Sequence, residues 1–450
     1  MKNRSGNIKD RIMLGYFIAA ALVLAFFYGI AVHKYHIFPY GPIEKVFSAI
    51  TGEPSYVQKN PRDNLQHPYH SRYAGEGVGV SKPGRTSPGV NLIAGTWKGN
   101  GDDLNMGFRL IDMDGTRLYQ WNFDMREIWG SSPHTDRSAG KWFGRGNTHI
   151  HGNVLLPDGS IVLNLDNFGM LKLNRDSEVV WKLDMRTHHS IYMDNDNNFW
   201  VCCRVWHEEP VKEFVGLEPP YMEDYILIVS PEGKVLKEIS VMESMYRSGY
   251  YSLLFAERKN PDLLHMNDVE VLEGEKASAF DIFDEGDIMV SLRNINSIFV
   301  LDRDTRLIKW AFSRPLIWQH DPDFTEDGYI TVFDNQIDRP SADALVGGSR
   351  ILRIDPRSRE CETVYGGSDD QYFYSEIGGK HQHLANGNIL ISEMWCDRLF
   401  EITPSGEIVW SWMAPRWDEY RGIGDKIWEG ARYRRGYLEF MNNREQTDER

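Results

Sequence analysis

The sequence predicts an all-β protein, a six-bladed β-propeller preceded by one N-terminal transmembrane helix. Three observations carry this. Residues 12–32 are an apolar run without a charge. From about residue 91, short runs rich in Val, Ile, Leu, Phe and Trp alternate with Asp-Gly and Asn-Gly turns, and no long stretch keeps a 3.6-residue period. One strand-turn-strand segment then recurs six times.

Composition bounds the rest. Of 450 residues 41% are apolar and 12% aromatic, enough for a sizeable core and too many for a disordered chain. Lys and Arg number 50 against 65 Asp and Glu, a net charge of −15. That balance excludes a protein that wraps nucleic acid, because counterion release needs a basic face. Four Cys exclude a disulfide-framed scaffold, and no Cys-x-x-Cys spacing suggests zinc.

In chain order, residues 1–11 carry Lys2, Arg4, Lys9 and Arg11 and are expected in the cytoplasm. The run 12–32, at 1.5 Å per residue, spans about 31 Å, the thickness of bilayer hydrocarbon. It reads as a signal anchor in the cytoplasmic (inner) membrane that places the rest of the chain in the periplasm or outside the cell. A cleaved signal peptide is the alternative, but the run is long and no clean Ala-x-Ala site follows it. Residues 33–90 hold Pro39, Pro42, Pro54, Pro61, Pro68, Pro83 and Pro88, a composition that suits an extended linker or wrapping arm. Residues 91–435 form the propeller, and 436–450 a polar C-terminal tail.

The repeated segment is LIDMDGTRLYQW (110–121), LKLNRDSEVVW (171–181), LIVSPEGKVLKEI (227–239), FVLDRDTRLIKW (299–310), ILRIDPRSRECETVY (351–365) and LFEITPSGEIVWSW (399–412). Its period of roughly 50–70 residues is that of a propeller blade, which buries its faces only against neighbours. Between the copies a His precedes an Asp- or Asn-containing turn and an apolar strand: His151, His189 and His320, with a relative at His265 and a closer pair at His381 and His383. If each apolar segment is the innermost strand of its blade, these positions ring the axis. One such His is as readily a structural residue that satisfies nearby backbone. His makes up only 14 residues of the chain, so four or five at one repeat position point to anion, proton or metal chemistry.

At these residues the chain resembles the PAPS-independent arylsulfate sulfotransferases, six-bladed propellers that move a sulfuryl group from an aryl sulfate to a phenol. The likeness runs over about 91–435, from RLIDMDGTRLYQWNF to the closing ARYRRGYLEF at 431–440. The family binds sulfate through an H-x-N element and, one strand later, an S-x-R-like element. Here these are His265-Met266-Asn267 and Ser291-Leu292-Arg293. Its nucleophilic His follows a Gln, as in Gln319-His320, and a further sulfate-contacting His corresponds to His189, with His188 as competitor. The resemblance implies catalytic roles for His320, His265 and Arg293, and substrate binding by Asn267, His189, His151, Gln319 and His383. It implies a sulfohistidine on His320 and ping-pong turnover, with no cofactor and no metal. The partners are then an aryl sulfate, a phenol and the membrane. The chain departs from the family pattern in its long loop between Asn267 and Arg293, its anchor, and the vicinal pair Cys202-Cys203.

Those residue types suit the chemistry. Sulfuryl transfer, like phosphoryl transfer, passes a loose transition state with charge on three equatorial oxygens, so the protein positions and stabilises. A neutral imidazole is nucleophilic near pH 7, a guanidinium offers a fork of donors, and an amide donates through its NH₂. His265 or His189, if protonated, can hold sulfate or pass a proton to the departing phenolate.

Three other readings compete. A quinoprotein-type oxidoreductase shares repeated Trp and a vicinal Cys pair, but the A-x-D-x-x-x-G-K-x-x-W docking repeat does not occur. A metal-binding propeller could use His149-x-His151 or His381-x-His383, each two imidazoles on one strand face, although no carboxylate partner is fixed by sequence. A membrane-tethered scaffold is allowed by the fold but has no need to gather His, Asn and Arg.

Overall fold

The computed structural model describes residues 5–35, 73, 75–99, 104–129, 134, 149–166, 168–255, 261–336, 348–418 and 423–441. Most of the expected arm, residues 36–72, lies outside the described residues, as do residues 1–4 and the tail from 442.

The described residues form six antiparallel blades, five of them four-stranded sheets and the sixth a four-stranded blade extended by a fifth strand. Blade 1 is Lys426–Tyr433, Val90–Lys98, Leu104–Ile111 and Arg117–Phe123. Blade 2 is Ile150–Leu155, Ile161–Leu165, Gly169–Leu173 and Val179–Leu183. Blade 3 is Thr187–Met193, Phe199–His207, Tyr221–Val229 and Val235–Ser240. Blade 4 is Met266–Val271, Ile288–Leu292, Ser297–Leu301 and Ile308–Phe312. Blade 5 is His320–Phe324, Ile330–Asp334, Arg350–Ile354 and Cys361–Gly366. Blade 6 is Lys380–His383, Ile389–Glu393, Arg398–Ile402 and Ile408–Met413.

The first strands of successive blades touch one another in a closed ring, so they are the innermost. Six apolar clusters fill the six interfaces between neighbouring blades. This corrects one sequence expectation. The apolar segments that follow the turns are the second strands, buried on both sides between blades, whereas the innermost strand is the short, polar one that carries the His. HDPDF and KHQH line a polar axis, while ITVFD and ILISE sit between two hydrophobic neighbours.

The ring is closed from both ends of the chain. Blade 1 takes its innermost strand from the C-terminal side, Lys426–Tyr433, antiparallel to Val90–Lys98. Arg432 on that strand is buried, ion-paired to Glu401 of blade 6 and bonded to Asn91 at 2.9 Å. Leu438 and Phe440 then pack between blades 1 and 2. Gly77–Ser81, from the Pro-rich stretch, adds a fifth strand outside Ile408–Met413 of blade 6. The four Cys are free thiols; Cys202 packs between blades 3 and 4 and Cys203 between blades 2 and 3, as alternation along one strand requires.

The N-terminal unit holds a helix, Ser5–Tyr35, whose stretch Arg11–Val32 is long and apolar enough to cross a membrane.

Candidate active site

Five imidazoles meet at one end of the axis because they begin, or sit just before, four consecutive innermost strands. His151 and His189 have ring centroids 3.8 Å apart, His189 and His265 4.9 Å, and His189 and His320 6.1 Å. His188 bonds His189 through Nδ1 to Nδ1 at 2.8 Å. The backbone is bent to achieve this. His189, His265, Trp318 and Asp321 have φ of 55°, 51°, 56° and 52°, a left-handed conformation that non-glycine residues hold only where surrounding structure enforces it. Gly152 allows the close approach of blades 2 and 3, since a Cβ there would lie 2.0 Å from the His189 carbonyl oxygen.

The hydrogen bonds fix the tautomers. Asn335 donates from Nδ2 to the carbonyls of Ser375 (2.8 Å) and Gly378 (2.7 Å), so its Oδ1 faces His320. His320 Nδ1 therefore carries the proton, donating to Asn335 Oδ1 at 2.7 Å and lying 3.0 Å from the Trp318 carbonyl. Nε2 is left with its lone pair, touched only by a long bond of 3.3 Å from the Gly378 N–H. Arg204 Nε donates to His188 Nε2 at 3.0 Å, so His188 donates onward from Nδ1 and His189 keeps its proton on Nε2. His188 thus backs the cluster, while the His189 ring meets His151, His265 and His320.

His265 Nδ1 donates to Asp262 Oδ2 at 2.5 Å, and its buried Nε2 has no hydrogen-bond partner among the described residues. Arg293 follows from strand register. Met266 opposes Leu292, which sets the Arg293 N–H on the His265 carbonyl at 3.2 Å. This is why an H-x-N element and an S-x-R element one strand later share a site. The Arg293 guanidinium stacks over Trp318 at 4.8 Å and uses Nε on Asn294, leaving its Nη donors without a protein acceptor among the described residues.

The electrostatics follow from burial. Burial first, then the Arg293 charge, bring His320 down to about 4 and His265 to about 3. His151, His188 and His189 are pushed well below their ordinary range by burial, then by neighbouring imidazoles or Arg204. All five are neutral at pH 7, so His265 and His189 enter the site uncharged. Burial alone would raise Asp262, but Arg204 and then His265 hold it well below the usual carboxylate range. Arg293 falls to about 10 through burial and remains a cation.

A recess of about 280 Å³, counted to its open mouth, is lined by His151, Asn267, His320, Lys380 and Glu429 among others. Asn267 gives one amide hydrogen to the Gln319 carbonyl at 2.7 Å and keeps a second. Gln319 itself points away, donating to Ser291 and to the Ser297 carbonyl, each at 3.0 Å, and so braces the strand rather than the recess. His383 lies apart, bonded to Thr331 Oγ1 at 2.8 Å. The sequence reading passed over Asp262, Arg204, Asn335 and Lys380. Only Lys380 carried a signal, as the first residue of the KHQH strand. Two clusters offer metal-ligand atoms within 4.8 Å of one another: His151 with Asp166 and His189, and Asp323 with His381 and His383.

Fold and recess together define a six-bladed propeller with an imidazole-lined axial site beside a guanidinium. The arylsulfotransferase (ASST) family model matches residues 152–414, over half of the chain, and the chain belongs to that family. No curated protein matches it. Among solved structures, a protein of unknown function from Bacteroides caccae is 12% identical, with a TM-score of 0.47, covering 76% of this chain and 98% of that one. A catalytically inactive virginiamycin B lyase from Staphylococcus aureus, solved with quinupristin, is 14% identical at a TM-score of 0.34, covering 60% and 71%. Neither likeness is a guide to activity.

Proposed function

We propose that the protein transfers a sulfuryl group from an aryl sulfate to a phenol through a sulfohistidine on His320. The observation that supports this most is the Asn335–His320 bond, which puts the proton on Nδ1 and the lone pair on Nε2 beside Arg293. In the first half-reaction Nε2 attacks sulfur, the S–OAr bond breaks and the phenolate leaves. Arg293 Nη donors and the His189 Nε2–H meet charge on the sulfuryl oxygens, in a desolvated site where such donors count most. In the second, the acceptor oxygen attacks sulfur, the N–S bond breaks and His320 is regenerated.

The acceptor's proton needs a base, and His265 supplies one. Its Nδ1–H is held by Asp262 and its Nε2 lone pair is unengaged, the arrangement of an Asp-oriented general base. A bound sulfuryl anion on Arg293 offsets the charge that otherwise depresses His265. Asn267 and His151 line the recess with His320 and serve the substrate there.

The basic residues Lys2, Arg4, Lys9 and Arg11 before the apolar helix support a signal anchor with a cytoplasmic N-terminus and the propeller in the periplasm or outside. Incubation with a chromogenic aryl sulfate, with and without a phenol, tests the activity. Release that depends on the acceptor, with a sulfated phenol as product, is expected; release to water alone would make the protein a sulfatase.

A further inference from the structure

A second group of chemistry-bearing side chains lies further along the axis, outside the imidazole cluster. From His320 the innermost strand of blade 5 runs three residues to Asp323, through an irregular register in which Asp321 takes a left-handed φ of 52°. Asp321 and Asp323 both reach His381 of the neighbouring strand in blade 6, where His381 and His383 share one face. His381 Nε2 lies 3.5 Å from Asp323 Oδ2, and Thr331 Oγ1, opposite Asp323 in register, lies 2.8 Å from Nε2 of both His381 and His383.

We propose that Asp323, His381 and His383 bind a divalent transition-metal ion of the zinc type, joining blades 5 and 6. One ligand atom from each already lies within 4.8 Å of the others. Two imidazoles and a carboxylate with an open position form a recurrent set for such ions, which need bonds of about 2.0–2.2 Å and so only a modest contraction here. The surroundings match as well. Asp321 Oδ2 takes the His381 backbone N–H at 2.6 Å and lies 3.1 Å from His381 Nδ1, within reach of the carboxylate-behind-imidazole bond that a small turn of the ring onto a metal would close. The nearby lysines are already paired, Lys276 with Glu270 at 2.9 Å and Lys380 with Asp321 at 3.6 Å, whereas Asp323 has no Lys or Arg nitrogen within 4 Å among the described residues. His381 is buried and His383 exposed, so solvent reaches the open side. The alternative cluster is less suited, because His189 Nδ1 is already taken by His188. This site is independent of sulfuryl transfer and adds a metal to a chemistry expected to need none.

The test uses the full-length, detergent-solubilised protein stripped with a chelator and titrated with Zn²⁺, read by calorimetry and by the melting temperature. One ion per chain is expected, with a rise in melting temperature as the ion is added. His383→Ala and Asp323→Asn should each weaken binding at least tenfold, and Asp321→Asn by about 10–100-fold, as loss of an outer carboxylate does. His320→Asn should bind as wild type. His383 is exposed, so equal metal-free melting of His383→Ala and wild type checks that the fold is intact. No saturable binding, or binding that survives both His383→Ala and Asp323→Asn, or binding lost instead in His151→Ala, overturns the proposal. The first result would leave a Thr331-bridged hydrogen-bond network as the cluster's only role, and none of them bears on turnover at His320.

Discussion

Asp262 and His265, three residues apart in the chain, are joined by a 2.5 Å hydrogen bond from Nδ1 to Oδ2, and Arg204 Nη1 stands 3.6 Å from the same carboxylate oxygen. The pair comes from the approach to the innermost strand of blade 4. There the left-handed backbone at His265 turns the imidazole toward the axis, and Asn294 Nδ2 clasps the Asp262 carbonyl at 2.6 Å. The consequence is a directional one. With Nδ1 committed to Asp262, the lone pair of His265 can lie only on Nε2, which is buried without a hydrogen-bond partner among the described residues, in a ring packed edge-on against His189.

This dyad separates the two half-reactions. Asp262→Asn should slow acceptor-dependent turnover by about 10²–10⁴-fold, the range general base catalysis supplies. The initial burst of phenol release, which needs no base for the acceptor, should persist. Rapid-quench kinetics check it, and equal loss of burst and turnover would remove Asp262 from an acceptor-specific role.

Arg293 is the leading charge acting on both His265 and His320, and its Nη donors have no protein acceptor among the described residues. Arg293→Ala should lower kcat by about 10²–10³-fold, comparable to deleting an oxyanion donor. Arg293→Lys should recover only part of this, because an ammonium restores charge without the planar fork. A variant with altered melting but wild-type kcat/KM would make Arg293 an ordinary structural ion partner.

The buried imidazoles tie stability to pH. His320 and His265 have folded values of about 4 and about 3, and His151, His188 and His189 also lie well below the unfolded value near 6.5. Below about pH 6.5 the unfolded chain takes up protons that the folded state refuses. Their contribution is therefore complete above that pH and is lost as pH falls toward 4, at up to about 1.4 kcal/mol per pH unit for each group. The melting temperature should drop steeply from pH 7 to pH 5. A flat profile would show that these imidazoles protonate freely in the fold.

Closure of the ring rests partly on a buried ion pair. Arg432→Ala strands Glu401 without its cation and should cost about 3–5 kcal/mol, seen as a lowered denaturant midpoint. Adding Glu401→Gln should restore much of the loss. An unchanged midpoint in the single variant would place the closing energy in the apolar cluster of Trp97, Trp410 and Ile427.

The blades were legible because a sheet packed between two others needs apolar strands on both faces, and that need repeats six times. The innermost strands were misread for the same reason. Facing a polar axis, HDPDF and KHQH lack the hydrophobicity by which strands are recognised, so the adjacent apolar strand looked more central. His151, His189, His265 and His320 were visible because a repeated position makes a rare residue conspicuous. Asp262, Arg204 and Asn335 were not, since each enters from a loop, a second strand or a strand end of a single blade, with no counterpart elsewhere to mark it. The strand Gly77–Ser81 was hidden in a Pro-rich stretch because its pairing partner lies more than 300 residues away.

The most direct measurement is the mass of the peptide containing His320 after brief exposure to an aryl sulfate without acceptor. The account predicts one added SO₃ on His320, discharged when a phenol is supplied and absent in His320→Asn. An active protein in which that peptide never gains SO₃, or a His320→Asn variant that still transfers, would contradict it.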